Sequence, residues 1–459
     1  MKPLQSLWLI PLSALVTGQA AAALTDLASA PLITSSTISV LPNLMFVLDD
    51  SGSMSWTHMP DVVADFAGTT SGGTCSTTSL TGACKFGYRS SQCNEVYYDP
   101  TLIYSPPVDA SGAVYPNASF TAAWKNGYQT SAGTVNLSTS FYAFGDGGSV
   151  VTEDTTSGAS MSGYDKPVPA YYYVYSGTQL TAKQKNYNDT SGIFYKECNS
   201  TPNTTTKHDG VHAVNTLFTK VVVSTTSGPG GTDERQNFAN WFSYYRTRML
   251  MMKTAVGRAF NPIDNHYRLG FMTINNNVSP GFIGWAPFEG SQRTSWYSKL
   301  YGASPKNSTP IREALANVGR MYAGKLKSLN SSSVTDPVQY SCQQNFTLLS
   351  TDGYWNGTDS AVKKIDGSTV MGNEDGALPR PFYDGGKSSN SLADVAQYYY
   401  ATDLRTTALS NCTGSLGSGI DVCTNDVPTS ADDSAKTQHM TTFTPVSYTH
   451  LTLSTILLV

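Results

Sequence analysis

The stretch FVLDDSGSM, residues 46–54, ends an apolar run and begins a polar cluster. The five apolar residues Leu44 to Leu48 are typical of a central parallel strand that is covered on both faces. Asp, Ser and Gly continue such a strand poorly, so they predict a turn at its carboxyl end. Open parallel sheets bind their ligands at this end. The stretch therefore predicts a buried first strand that leads directly into a binding site.

Composition sets the class of protein. The 459 residues are enough for two or three domains and a large core. Only 14% of them are charged and the net charge is -4, which leaves no basic surface for nucleic acid. Instead the chain has 27 Tyr and 39 Gly, with many Ser, Thr and Asn. A neutral polar surface of this kind suits an extracellular protein.

The N-terminus predicts export. Residues 1–23 combine Lys2, an apolar core from Leu7 to Val16 and a run of small residues from Ala20 to Ala23, which is the pattern of a secretory signal peptide. The alternative is a buried N-terminal helix. The apolar core is too short to span a bilayer, which takes about 20 residues. We expect residues 24–41 to lead into the folded part, and no transmembrane segment after the signal is removed.

Export makes the cysteines candidates for disulfide bonds. Their number is odd, so at least one lacks a partner within the chain. The pairs Cys75–Cys84 and Cys412–Cys423 would each close a short loop, but the connectivity does not follow from the sequence. The seven cysteines are Cys75, Cys84, Cys93, Cys198, Cys342, Cys412 and Cys423.

Residues 56–232 have little hydrophobic periodicity and contain four of the cysteines. Alternating aromatic and polar residues between Gly and Pro, as in 94–107 and 170–177, predict short strands and loops. This region is interpreted as an irregular, disulfide-containing insertion. Its tyrosines could form a binding surface, but packing against the neighbouring domain is the favoured interpretation.

Regular periodicity returns after residue 233. An apolar stripe over 233–260 predicts one amphipathic helix. Thr309 is the expected N-cap of a later helix with Pro310 as its first residue, and Ser391 the expected N-cap of another. Helices therefore alternate with strands, which predicts an α/β fold with a doubly wound sheet built from 42–55 and 233–444. The further predicted elements are strands at 267–275, 281–288, 345–353 and 440–444, and helices at 308–327 and 391–405.

Oxygen-bearing side chains from three predicted loops form a candidate metal site. Hard cations such as Mg²⁺ bind six oxygen ligands in octahedral geometry. Three hydroxyls and two carboxylates, some acting through water, nearly fill that shell and leave the metal able to take a carboxylate from a partner. Mg²⁺ is expected, with Mn²⁺ or Ca²⁺ as alternatives. Each loop also has a simpler explanation as a helix cap or a turn. The five residues are Asp49, Ser51, Ser53, Thr309 and Asp352.

This pattern resembles the metal-ion-dependent adhesion site of von Willebrand factor A domains. The resemblance rests on the DxSxS after an apolar strand, Thr before a helix and Asp after a later strand. It implies direct metal contact by Ser51, Ser53 and Thr309, with Asp49 and Asp352 binding directly or through water. Asp50 occupies a variable position of the motif and is assigned no direct metal role.

A narrower resemblance covers nearly the whole mature chain. The segments LMFVLDDSGSM, VYYDPTLIYSPP, STPIREAL, STDGYWNG, LADVAQYYYATDLR and QHMTTFT resemble the N-terminal half of PilY-type proteins, the tip adhesins and assembly factors of type IV pili. The family implies a Gram-negative protein of the periplasm, outer membrane and cell surface, located at the pilus tip. It implies that the protein primes pilus assembly with minor pilins and pilus tip components and contributes to adhesion and twitching motility. The partner expected at the metal site is a host or abiotic surface ligand that presents a carboxylate.

The C-terminus departs from that family. PilY-type proteins usually continue into a β-propeller with a calcium-binding loop, and this sequence stops at residue 459. Residues 445–459 do not resemble the family's continuation and are expected to be a truncated or frame-shifted tail. The functions of the propeller are therefore not assigned to this chain.

The sequence leaves two alternative functions. An exported hydrolase would use Ser51 or Ser53 as a nucleophile, but no motif places a histidine beside either serine, and a serine without a base is a poor nucleophile. We therefore predict that the protein is not an enzyme. A metal that only braces the fold, in a structural scaffold, is the other alternative.

Overall fold

The computed structural model describes residues 40–59, 86–141, 143–144, 150–151, 169–177, 193–198, 217–275, 282–306, 308–353, 355–376, 388–431 and 433–444. The predicted signal peptide, most of the N-terminal lead and the tail at 445–459 lie outside these residues. So does the predicted Cys75–Cys84 pair.

Strands and helices alternate in the second half of the described chain. The strands are β1 (Asn43–Leu48), β2 (Ala123–Trp124), β3 (Thr134–Val135), β4 (Ala143–Phe144), β5 (Val150–Val151), β6 (Tyr171–Tyr175), β7 (Phe218–Val222), β8 (Arg268–Thr273), β9 (Ile283–Pro287), β10 (Ser328–Leu329), β11 (Ser332–Ser333), β12 (Asn345–Ser350) and β13 (Thr441–Phe443). The α-helices are α1 (Ile193–Cys198), α2 (Arg235–Tyr244), α3 (Arg248–Ala259), α4 (Gly290–Gly302), α5 (Ile311–Tyr322) and α6 (Leu392–Ala401).

One five-stranded sheet joins β1 to four strands of the second half, in the order β13-β12-β1-β8-β9. Strand β1 pairs in parallel with β12 and β8, and β12 pairs in parallel with β13, whereas β9 is an antiparallel edge strand. This confirms an α/β fold with a mainly parallel sheet. Leu48 pairs with Ser350 on one side and with Thr273 on the other. The three central strands therefore end at the same level, and their following loops leave one edge of the sheet.

Helices cover both faces of this sheet. Successive side chains of a strand point to opposite faces, so the side chains of β1 pack in two different clusters. Met45 and Val47 of β1 pack in one cluster with residues of α5 and α6. Phe46 and Leu48 pack in another cluster with residues of α3 and α4. The apolar run that predicted a fully buried strand is therefore buried from both sides.

The single helix predicted over 233–260 is wrong, because the chain forms two helices there. Helix α2 ends at Tyr244, and Thr247 has an extended backbone from which its hydroxyl accepts the Leu250 N–H at 3.1 Å. Helix α2 packs into the aromatic core of the insertion, whereas α3 packs on the sheet. One amphipathic stripe thus serves two cores, and the break between the helices changes its direction.

The start of α5 and the presence of α4 also differ from the prediction. Thr309 is not the N-cap, because α5 begins at Ile311 after Pro310. Helix α4 was not predicted at all, since its buried apolar residues are only Trp296, Tyr297 and Leu300 among mostly polar neighbours. Ser391 does cap α6, and its hydroxyl and the Asp394 carboxylate each accept the other residue's backbone N–H.

The described parts of the insertion form an aromatic core with its own cross-link. Strands β6 and β7 pair as an antiparallel hairpin, and a disulfide joins Cys93 to Cys198. All four tyrosines of β6 are buried, and Val174 is the one exposed residue of the strand. For these tyrosines, this confirms the packing interpretation. The predicted Cys412–Cys423 disulfide is present, and Cys342 is a free thiol.

None of the helices in the described ranges combines the length and the apolar content that crossing a bilayer would need.

Candidate metal site at the carboxyl edge of the sheet

Three loops meet at the carboxyl edge of the sheet and are joined in pairs by hydrogen bonds. The loop after β12 contacts the loop after β1 where the Thr351 hydroxyl donates to Asp49 Oδ2 at 3.0 Å. The loop before α5 contacts the loop after β1 where the Lys306 N–H donates to the Asp50 carbonyl at 2.7 Å. Thr309 and Asn356 connect the remaining pair of loops. The structure therefore brings the segments of all five predicted ligands to one place.

Asp49 is fully buried at the end of β1, where burial alone opposes a negative charge. Its Oδ1 accepts the Ser51 N–H at 2.9 Å, which closes the turn predicted from the sequence. Burial, and then the charge of Asp352, raise the pKa of Asp49 from 3.8 to about 6, against hydrogen bonds that lower it. Burial is the main cause of the raised pKa, and the nearby Asp352 carboxylate adds to it.

The two serines form a pair of hydroxyls beside Asp49. Ser51 Oγ lies 3.0 Å from Ser53 Oγ, on a turn that continues into a short 3₁₀ helix at Gly52–Ser55. Ser51 is buried and Ser53 is partly exposed. The turn directs two neutral oxygens toward one point, where they could be metal ligands without neutralising the cation.

One carboxylate oxygen of Asp352 is paired with an arginine, and the other has no partner among the described residues. Its Oδ2 accepts a hydrogen bond from Arg248 Nη1 at 2.8 Å, in an ion pair whose side chains are both 1% exposed. Its Oδ1 is buried and has no hydrogen-bond partner in the part of the chain that the structure describes. A buried carboxylate oxygen without a partner costs free energy. It is therefore a position where a ligand would stabilise the protein.

Thr309 is held by the loop that follows Asp352. Its N–H donates to Asn356 Oδ1 at 2.6 Å, and its carbonyl accepts the Asn356 N–H at 3.1 Å. Asn275, at the end of β8, donates from Nδ2 to Asp50 Oδ1 at 2.9 Å and to the Ser308 carbonyl at 2.9 Å. Two asparagines thus fix Thr309 relative to both acidic loops, and Asp50 is engaged by Asn275 as a support.

These donors fit a hard divalent cation. The set consists of carboxylates and hydroxyls, with no sulfur or imidazole, which suits Mg²⁺, Mn²⁺ or Ca²⁺. The unpartnered Oδ1 of Asp352 and the repulsion between Asp49 and Asp352 would both be relieved by a positive ion. Arg248 already compensates part of this charge through its ion pair with Asp352. The metal role of the five residues remains a prediction.

A second cluster of metal-ligand types exists but does not offer free sulfurs. Cys412, Asp421 and Cys423 have ligand atoms within 4.8 Å of one another. The two sulfurs are joined in a disulfide, so neither is a thiolate that could bind a metal.

The histidine nearest to the serines in sequence is placed as a core residue. The ring of His58 stacks on Trp56 with centroids 5.0 Å apart, and the guanidinium of Arg248 lies 4.8 Å from the Trp56 ring. Burial, and then the charge of Arg248, lower the pKa of His58 well below its ordinary value. A histidine beside a buried arginine is a poor acceptor of a serine proton, so the geometry disfavours the hydrolase alternative.

Sequence reasoning missed the residues that hold the candidate ligands in place. Arg248, Asn275, Thr351 and Asn356 each contact a predicted ligand or its loop. Thr351 and Asn275 follow the last residues of buried strands, which was an available signal. Arg248 gave none, because it lies within an apolar helical stripe far from Asp352 in sequence.

The chain is similar to known pilus proteins over most of its length. It is 29% identical over 392 residues to the "Type IV pilus biogenesis factor PilY1" of Pseudomonas aeruginosa strain PAO1. The proteins of the same name from strains PAK and UCBPP-PA14 are each 29% identical as well, over 397 and 383 residues. Each similarity covers 80% of this chain but only 28% of the relative, so the chain spans little more than a quarter of the length of these proteins. No family model and no solved structure matches the chain.

Proposed function

Because the similarity to PilY1 confirms the resemblance to PilY-type proteins, we propose that the chain acts in the biogenesis of type IV pili. It would be exported and displayed on the cell surface with the pilus tip. There it would assemble with minor pilins and contribute to adhesion and twitching motility. The relatives' printed name supports the biogenesis role, and the finer roles follow from the resemblance to PilY-type proteins; this chain represents one part of the relatives.

Within that role, the proposed activity is metal-dependent binding of a partner carboxylate. The sheet order places β1 between β8 and β12. The chain passes from β1 to β8 and β9 on one side of β1 and then to β12 and β13 on the other, and doubly wound sheets bind ligands where the strand order reverses in this way. This arrangement supports a von Willebrand factor A-like domain. Asp49, Ser51, Ser53, Thr309 and Asp352 would hold the cation, and a carboxylate of the partner would complete its coordination.

The observation that carries the proposal is the unpartnered Oδ1 of Asp352 at the meeting point of three hydrogen-bonded loops. The alternative of a metal-braced scaffold uses the same ligands but needs no partner. In the described residues no histidine is hydrogen-bonded to Ser51 or Ser53 as the hydrolase alternative would need, and the relatives' printed name describes a biogenesis factor.

The proposal is tested by calorimetric titration of Mg²⁺, Mn²⁺ and Ca²⁺ into the chain produced in an oxidising compartment. Asp352→Asn and Ser51→Ala are expected to lower the metal affinity at least tenfold, because even outer-shell changes cost about 10–100-fold. Asp352→Asn preserves the side-chain shape beside Arg248. The matched control is Asp264→Asn, since Asp264 is an exposed acid in the loop before β8, at the opposite edge of the sheet.

Equal metal affinity in the wild type and both variants would contradict the proposed site. Metal binding without any effect of metal on the binding of an acidic peptide would favour the structural brace. Circular dichroism of each variant would confirm that the fold is retained.

A further inference from the structure

Trp355 is the one exposed tryptophan in the described residues, with 45% of its surface accessible. The other tryptophans that the structure describes are buried or half-buried. Trp355 follows Asp352 by three residues and directly precedes Asn356, whose side chain and backbone both bind Thr309. The exposed indole therefore belongs to the loop that carries Asp352 and is hydrogen-bonded to Thr309.

The backbone that follows Trp355 is held in place. Asn356 ties the loop to Thr309, and Gly357 has a φ of +116°, a conformation that favours glycine. At Gly357 the chain passes against Pro310, where an added Cβ would lie 3.9 Å from Pro310 Cα. The loop is thus fixed against the start of α5.

One face of the indole lies near a buried arginine. The guanidinium carbon of Arg312 lies 5.6 Å from the centroid of the Trp355 ring. Arg312 is itself held by Asp359 Oδ1 at 2.7 Å and by the Asn390 carbonyl at 2.9 Å. Since the arginine is anchored, its cation–π contact orients the indole ring at little further entropic cost.

We infer that Trp355 is the second contact point of the proposed adhesion site and binds an apolar side chain next to the acidic residue of a protein partner. The inference rests on the proposed function, because the cation would hold the partner's carboxylate. A basic side chain is disfavoured there, since both Arg312 and the cation are positive. Tryptophan is one of the residue types enriched among the residues that dominate the binding energy of interfaces. The partner's recognition element is therefore an acidic residue flanked by aliphatic or aromatic residues.

The test uses blocked tripeptides as probes, titrated into the whole chain with saturating Mg²⁺. An aspartate flanked by leucines is compared with an aspartate flanked by glycines and with an asparagine flanked by leucines. The wild type should bind the leucine-flanked aspartate about tenfold more tightly than the glycine-flanked one, which corresponds to about 1.4 kcal/mol. Trp355→Ala should abolish this preference, so that the variant binds the leucine-flanked and the glycine-flanked aspartate with equal affinity.

The matched control is Tyr267→Ala, because Tyr267 has a similar exposure of 41% and precedes β8 at the far edge of the sheet. A second readout is the ¹⁹F resonance of 5-fluorotryptophan at position 355, identified by its loss in Trp355→Phe. It should shift with the leucine-flanked aspartate and not with the glycine-flanked one.

The outcomes separate the two proposals. If Mg²⁺ binds normally but the wild type shows no preference for the leucine-flanked aspartate, or Trp355→Ala keeps the preference, the inference about Trp355 is wrong and the metal site stands. If the wild type binds no divalent metal, the proposed function fails and this inference fails with it.

Discussion

The insertion and the sheet solve the problem of a stable core with different side chains. The core of the insertion is made largely of aromatic residues, and the Tyr97 hydroxyl donates to the Tyr171 carbonyl at 3.0 Å. Tyr98 and Tyr172 donate to the same oxygen of buried Glu234, at 3.2 and 3.3 Å. On the α5 and α6 side of the sheet, aliphatic residues and methionine predominate. Each buried tyrosine hydroxyl needs a specific hydrogen-bond partner, whereas an aliphatic core needs mainly apolar residues at the right spacing in the sequence.

This difference explains why the two regions differ in predictability. A strand or helix that buries aliphatic residues leaves a periodic pattern, so β1, β8, β12 and α6 were predicted from the sequence. In the insertion, each tyrosine combines a buried ring with a hydrogen-bonded hydroxyl, and the sequence does not say which carbonyl or carboxylate receives it. The insertion core also depends on the disulfide between Cys93 and Cys198, which closes a long loop.

The largest expected effect comes from removing that disulfide. Cys93→Ser with Cys198→Ser should lower the free energy of unfolding by about 5 kcal/mol, because 105 residues separate the two cysteines. Removing Cys412–Cys423, which are 11 residues apart, should cost only about 3 kcal/mol. Denaturant unfolding of both double variants measures the difference. Equal losses would show that loop length does not govern these cross-links.

The sheet edge should respond to pH through Asp49. Its folded pKa of about 6 lies above the ordinary 3.8, so the folded state binds the proton more tightly than the unfolded state. In EDTA, protonation of Asp49 therefore stabilises the folded state below about pH 4, and this stabilisation is lost as the pH rises through 6. The loss amounts to about 3 kcal/mol.

Asp49→Asn should remove this pH dependence, as measured by the free energy of unfolding at pH 4, 5, 6 and 7 in EDTA. Divalent metal should restore stability to the wild type above pH 6 and not to the variant. Its affinity should fall below pH 6, because protons compete for Asp49. An identical pH dependence in the wild type and the variant would remove Asp49 from this account.

The hydroxyls of the insertion core should have a smaller effect. Tyr97→Phe removes one buried hydrogen bond while retaining the ring, and should lower the free energy of unfolding by about 1 kcal/mol. Tyr267→Phe, at an exposed ring, is the control and should leave stability unchanged. If both variants are as stable as the wild type, the insertion core is held by aromatic packing alone.

The junction between α2 and α3 offers a further test of how the two cores are joined. Thr247→Ala removes the side-chain acceptor for the Leu250 N–H and should cost about 1 kcal/mol. Thr247→Ser keeps the acceptor and should recover most of that loss, as measured by thermal unfolding. A loss in the serine variant equal to that in the alanine variant would mean that the methyl group, rather than the cap, stabilises the junction.

The sequence by itself determined the parts of the protein whose physics is local. Periodic apolar residues predicted the sheet strands and α6. A run of five apolar residues, followed by Asp49, predicted the buried strand and the turn after it. The tertiary structure alone decided which residues support the candidate ligands. Arg248 reaches Asp352 across 104 positions, and Asn356 reaches Thr309 across 47. Contacts of this kind depend on the path of the chain between their partners, and no local pattern records that path.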